Sequence, residues 1–99
     1  MFVARSINEL PIRLTQERWE HILEEHGELA DYADRILNVI THPERVLEGK
    51  AGEMLAVGEI EKGKWLVVVY KELELDGFII TAFLTRRRAS LDRRQQIWP

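Results

Sequence analysis

The stretch that most constrains the fold is Lys64 to Arg86, KWLVVVYKELELDGFIITAFLTR. Two apolar, β-prone runs flank Asp76-Gly77, and Asp-Gly between such runs is a strong short-range hairpin signal. With these two residues as the loop, Leu75 faces Phe78, and the pairs run outward to Lys71–Ala82 and Val69–Leu84. One face then carries Trp65, Val67, Val69, Lys71, Leu73, Leu75, Phe78, Ile80, Ala82 and Leu84. It is apolar apart from Lys71 and is read as the core face. The other carries Leu66, Val68, Tyr70, Glu72, Glu74, Ile79, Thr81, Phe83 and Thr85. Its mixture of hydroxyl, charged and apolar groups marks it as the place for a site. This register puts Lys71 opposite Thr81 and Thr85.

The chain has 99 residues, of which 45% are hydrophobic. That suffices for one core and one domain, spanning residues 1–99. No signal-peptide pattern opens the sequence and no run approaches a membrane span, so a cytoplasmic protein is expected. With no cysteine, disulfides, thiolate zinc sites and cysteine nucleophiles are excluded. The net charge is −3 but unevenly spread. Gln16 to Glu48 holds nine acidic residues against three arginines, whereas Arg86 onward holds five arginines against Asp92 alone. A basic end beside a sheet suits phosphate, and equally suits a solvated edge.

Residues 1–13 read as an N-terminal arm, in which Phe2, Val3 and Ile7 suit a short edge strand or a partner contact. Thr15 is a good N-cap with Glu17 in the first turn, and Trp19, Ile22, Leu23 and His26 recur at helical spacing up to Gly27. A second helix is expected from about Glu28 to Thr41, ended by His42-Pro43. Glu44 to Glu48 begins the sheet and Glu53 to Glu61 supplies a strand before the hairpin. Residues 87–99 read as a basic tail. The expected fold is α+β, with two N-terminal helices packed on one face of a three- to four-stranded antiparallel meander sheet.

Few groups suit chemistry. His26 lies on the apolar stripe, where a satisfied packing role is the simpler reading. His21 falls on the polar face, near Glu17, Glu24 and Glu25. His21 and His26 are five apart, which does not place them on one helical face, so no metal site is expected. Glycine-rich phosphate loops, nucleophile elbows and dinucleotide fingerprints are absent from the sequence, and no cofactor is expected. Lys71 is either a snorkelling strand-end lysine or a phosphate contact. Thr81 and Thr85 alternate on one strand face before Arg86. Threonine there suits β-structure, and a hydroxyl pair beside arginines also suits phosphate.

Taken in order, LTQERWEHILEEHGEL, THPERVL, WLVVVYKE and GFIITAFLTRR resemble the small phage and bacterial barnase–EndoU–colicin–RelE-like nucleases. The resemblance covers about Leu14 to Arg88. It implies two helices on an antiparallel sheet and metal-independent RNA cleavage by attack of the neighbouring 2′-hydroxyl. That reaction needs a base, an acid and cationic stabilisation. Carried over by motif, His21, His26, Lys71 and Thr81 would be catalytic, and Thr85 and Arg86 would hold substrate. Tyr70, on the mixed face, and Arg88, in the basic run, are added as substrate contacts. RNA and a cognate protein inhibitor would be partners of a toxin or phage-derived effector. The alternative is a non-catalytic protein- or nucleic-acid-binding module on the same fold. A homo-oligomer through the first ten residues or a free sheet edge is compatible with either.

Overall fold

The computed structural model describes residues 2–99. Its elements are β1 (Phe2–Arg5), β2 (Pro11–Leu14), α1 (Gln16–Glu25), α2 (Ala33–Thr41), β3 (Arg45–Glu48), β4 (Met54–Glu61), β5 (Lys64–Glu72), β6 (Gly77–Thr85), α3 (Arg88–Asp92) and β7 (Gln96–Trp98), with a 3₁₀ turn at Gly27–Leu29. The strands form one seven-stranded sheet in the order β1-β2-β6-β5-β4-β3-β7. Its one parallel pair among the described residues joins β2 to β6, with Ile12 beside Gly77 and Arg13 beside Phe78. The expected small antiparallel meander behind two leading helices is therefore corrected to a seven-stranded mixed sheet with three α-helices. Two strands precede the helices. The segments read as an arm and a tail supply β1, β2, α3 and β7.

Local chemistry explains the first helix. The Thr15 side chain accepts a hydrogen bond from the Arg18 N–H at 3.1 Å, and the His26 N–H closes the last turn on the Ile22 carbonyl. Trp19 and Ile22 face inward from α1, and Ile36, Val39 and Ile40 from α2. The expected second helix is shorter at its start, because Gly27–Leu29 forms the 3₁₀ turn instead.

The helices cover one sheet face. There Trp19, Ile22, Ile36 and Ile40 pack with Ala56, Leu66, Val68, Tyr70, Ile79 and Ala82. Truncating one such buried aliphatic side chain to alanine typically costs about 2–5 kcal/mol. A smaller cluster on the opposite face joins Leu47, Leu55, Val57, Val67 and Leu91, with Trp65, Val69 and Phe83 at its margin. The sheet thus has one face closed by α1 and α2, and one only partly covered by the short α3.

The hairpin register differs from the two-residue expectation, and so do its faces. Val69 pairs with Thr81, but Tyr70 pairs with Ile79 and Glu72 with Gly77. An extra residue, Ile80, is bulged out of β6 at that step, and the loop is Leu73–Asp76, closed by the Leu73 N–H on the Asp76 carbonyl at 2.6 Å. Even-numbered Leu66, Val68 and Tyr70 therefore face the helices, and Trp65, Val67, Val69 and Lys71 do not. A bulge reverses the side-chain alternation of its strand, so Ile79 points with Ala82 and Leu84 rather than with Thr81. Gly77 lacks the positive φ that a type I′ turn would need; the described glycines with positive φ are Gly52 and Gly63.

Gly77 is required for a different reason. A Cβ there would lie 2.3 Å from the Lys71 carbonyl oxygen and 2.7 Å from Ile12 Cδ1. Backbone and core side chain both occupy the space. Gly58 has a related role, since its missing side chain lets Val39 of α2 come within 2.9 Å of a Cβ position on β4. Polar ties reinforce the Gly77 seam: Arg13 pairs with Asp76, and Glu72 accepts from the Ser6 hydroxyl and from Asn8 Nδ2. No helix among the described residues is long and apolar enough to cross a membrane.

The Gly77→Ala variant should lose about 2–3 kcal/mol of stability, as overpacking at a rigid contact does. Urea unfolding measures this directly, and an unchanged midpoint would show that Ile12 and β5 can move aside.

Candidate nucleic-acid interface

The sheet face turned away from α1 and α2 gathers charged and hydroxyl groups over an apolar floor. Strand alternation places Lys71 of β5 on this face with Val69, Val67 and Trp65. The observed pairing places Thr81, Phe83 and Thr85 of β6 beside them. Lys71 and the two threonines therefore share a face, which the two-residue hairpin register had separated. The same register logic adds Arg13, which neighbours Phe78, and Arg45, which pairs with Val57.

Two depressions open on this face. One, of about 220 Å³, is lined by Gly49, Lys50, Glu53, Leu55, Val69, Phe83 and Arg94. The other, of about 410 Å³, is lined by Glu44, Arg45, Glu59, Trp65, Arg88, Gln96 and Pro99. The Glu53 carboxyl is held below the ordinary carboxylate range. A hydrogen bond from the Ala51 N–H is the main cause, helped by its own N–H and by the positive charges of Arg94 and Lys71, while burial opposes the shift. Asp92 holds Arg45 at 2.9 Å and Arg88 at 3.7 Å, so one carboxylate serves two guanidinium groups. Arg94 donates to the Glu48 carbonyl.

The remaining candidates are dispersed. His21 sits on the exposed side of α1, 3.2 Å from Glu25, and His26 at its C-cap lies 3.7 Å from Glu28. Both belong to the helical layer, across the sheet from Lys71, Thr81 and Thr85. The expected catalytic set is thus divided between two layers. Arg86 is paired with Glu61 at 3.1 Å, and Thr85 Oγ1 accepts from the Arg87 N–H. Tyr70 is fully buried among the helix-facing core residues, which rules out a surface contact with substrate. Its hydroxyl has no hydrogen-bond partner among the described residues. Burial, with the Glu72 charge acting in the same sense, pushes its pKa well above the usual tyrosine value.

Among the described residues no group of three or more histidine, cysteine, aspartate or glutamate side chains is arranged to hold a metal ion. Arg13, Arg45 and Glu53 were not singled out from the sequence, and Arg94 entered only as one of the five arginines of the basic end. Strand pairing brings Arg13 and Arg45 to this face, and the loops before β4 and after α3 bring Glu53 and Arg94, which no local motif foretells. No protein-family model, curated protein or solved structure matches the chain.

Tyr70 gives a two-part prediction. Tyr70→Phe removes a buried hydroxyl without a partner and should leave stability unchanged or raise it by up to about 1 kcal/mol. The raised folded-state pKa means the wild-type contribution is intact below the unfolded tyrosine value of about 10 and is lost as pH rises above it. Unfolding between neutral and strongly alkaline pH should show a shallower decline for the phenylalanine variant.

Proposed function

We propose that the protein is an RNA-binding module that holds the phosphate backbone on the open sheet face. The observation that carries this reading is the gathering of Lys71, Arg13, Arg45 and Arg94 with Thr81 and Thr85 on that face. Arginine, lysine and hydroxyl groups are the usual partners of phosphate oxygens. Seven of the nine acidic residues of Gln16 to Glu48 lie between Glu17 and Asp34 in the helical layer, while Glu44, Glu53 and Glu59 line the depressions of the open face. Sequence-independent phosphate contact follows from such a surface, and its affinity falls as salt rises because the counterions that binding releases then gain less entropy.

Binding without cleavage fits better than the nuclease reading suggested by the resemblance. Cleavage by 2′-hydroxyl attack needs a base and an acid at one phosphate. Histidine is the side chain whose charge ordinarily changes near neutral pH, and His21 and His26 are on the far layer. The second reading, endoribonuclease action, draws on Glu53, a carboxylate under the charges of Arg94 and Lys71. It would make Glu53 the base, a weak one because the Ala51 N–H and the nearby cations hold its pKa down, and Lys71 the group that stabilises the phosphorane.

The test uses labelled RNA with EDTA present, followed by anisotropy and by end-group analysis. RNA should bind, more weakly at about 200 mM than at about 50 mM salt. Lys71→Ala should weaken binding on all sequences and reduce the salt slope by about one, and His21→Ala and His26→Ala should bind normally. Cyclic-phosphate ends that vanish in Glu53→Gln would establish the second reading. Loss of RNA binding in the histidine variants, with Lys71→Ala silent, would overturn the open-face assignment.

A further inference from the structure

From the smaller depression of the open face we infer a binding site for a small organic anion, a monocarboxylate with an apolar or aromatic body. The inference goes beyond the RNA reading and does not depend on it. The floor of the depression is Leu55, Val69 and Phe83. Leu55 pairs with Val69 across β4 and β5, and Phe83 lies diagonally from Val69, since Val67 pairs with Phe83 and Val69 with Thr81. Leu55 belongs to the smaller apolar cluster, and Val69 and Phe83 stand at its margin with part of their surface left open. The space is about 220 Å³, and an apolar cavity of roughly 150 Å³ already accepts a benzene-sized ligand.

The rim is cationic. Lys50 and Arg94 line the depression, and one step beyond the Met54–Tyr70 pair Lys71 comes opposite Glu53. Lys50, Lys71 and Arg94 form no ion pair among the described residues. Arg94 gives one N–H to the Glu48 carbonyl and keeps the other donors of a planar fork that matches a carboxylate. Glu53 is the one carboxylate that lines this depression among the described residues, and it is committed to the turn before β4. Its Oε1 occupies the space where a Gly49 side chain would stand, and accepts from the Ala51 N–H at 2.8 Å. The larger depression differs: Glu44 and Glu59 line it, and Asp92 already holds both of its arginines, Arg45 and Arg88.

Floor and rim select together. A bare phosphate or sulfate would meet the cations and leave Leu55, Val69 and Phe83 to water. A neutral apolar molecule would cover the floor and leave the cations unanswered. A carboxylate carried on a ring or a short chain satisfies both. Free organic acids carry such a group, and so does the C-terminus of a chain that ends in an apolar residue. The chemistry recognised is the same in both.

The experiment titrates the full chain with phenylbutyrate and follows the methyl resonances of Leu55 and Val69 by NMR. Acetate, which lacks the body, and phenylbutanol, which lacks the charge, should each bind at least about tenfold more weakly. Arg94→Gln and Lys71→Gln should each weaken phenylbutyrate by up to about fivefold while keeping the wild-type urea midpoint. A glycine-rich peptide ending in phenylalanine, as free acid and as amide, separates the two sources. A free acid that outbinds phenylbutyrate, with the amide inert, assigns the site to a chain terminus, and a weaker one assigns it to a free organic acid. Acetate or inorganic phosphate binding as tightly as phenylbutyrate would show the floor to be unused and overturn the inference, with the phosphate reading intact. Shifts confined to residues away from Leu55 and Val69, or no binding of phenylbutyrate, overturn it as well. RNA binding measured on the same samples stands or falls separately.

Discussion

The architecture depends on one close approach. Gly77 sits where the Lys71 carbonyl and the Ile12 side chain leave no room for a Cβ. That contact joins β2 to β6 in the parallel seam, and the seam fastens the N-terminal hairpin β1–β2 to the central strands. Parallel pairing requires a crossover rather than a tight turn, and here the chain between β2 and β6 contains both principal helices. Closing the seam therefore fixes the helical layer against the sheet. The Arg13–Asp76 pair and the Ser6–Glu72 and Asn8–Glu72 bonds act at the same end, so the hairpin loop is held by the N-terminal segment rather than by its own turn.

Two layers of unequal cover follow. Sequence that packs on α1 and α2 is dense in aliphatic residues and closed to solvent. The reverse side has one short helix, and Leu91 is its buried residue. A face of this kind can keep an apolar floor and still expose lysine, arginine and threonine at its edges. The α1 surface carries Glu17, Glu20, Glu24 and Glu25, whereas the open face mixes Lys71, Arg45 and Arg94 with Glu44, Glu53 and Glu59. Function can then be sought on one side of the sheet alone.

The sequence was informative wherever a local rule applied. Thr15 as cap, the 3.6-residue recurrence of Trp19 and Ile22, and the apolar runs of β4, β5 and β6 identify their elements without tertiary information. Four-residue β1 and β2 are too short for periodicity to register, and Pro11 in β2 reads locally as punctuation. Arg88–Asp92 and Gln96–Trp98 read as tail because their structure comes from docking on the sheet. Asp76-Gly77 misled for a specific reason: the glycine suits a type I′ turn, yet is needed for a packing contact sixty-five positions from Ile12. The candidate site suffered most. Lys71, Thr81 and Thr85 were legible as residues of interest, but their common face depends on Ile80, and the role expected of Tyr70 depended on the wrong face. The two histidines were read as helical, and their layer became known only with the sheet.

The bulge at Ile80 means that position along β6 is counted from two origins. Gly77 to Ile79 pair with Glu72 to Tyr70 of β5, and Thr81 to Thr85 with Val69 to Trp65, the two registers differing by one residue. Removing Ile80 would make Ile79 and Thr81 neighbours in a regular strand with the same β5 partners, so Thr81, Phe83 and Thr85 would stay on the open face. The extra residue thus lets a strand one residue too long for β5 keep its core half and its hydroxyl half each on its own side of the sheet.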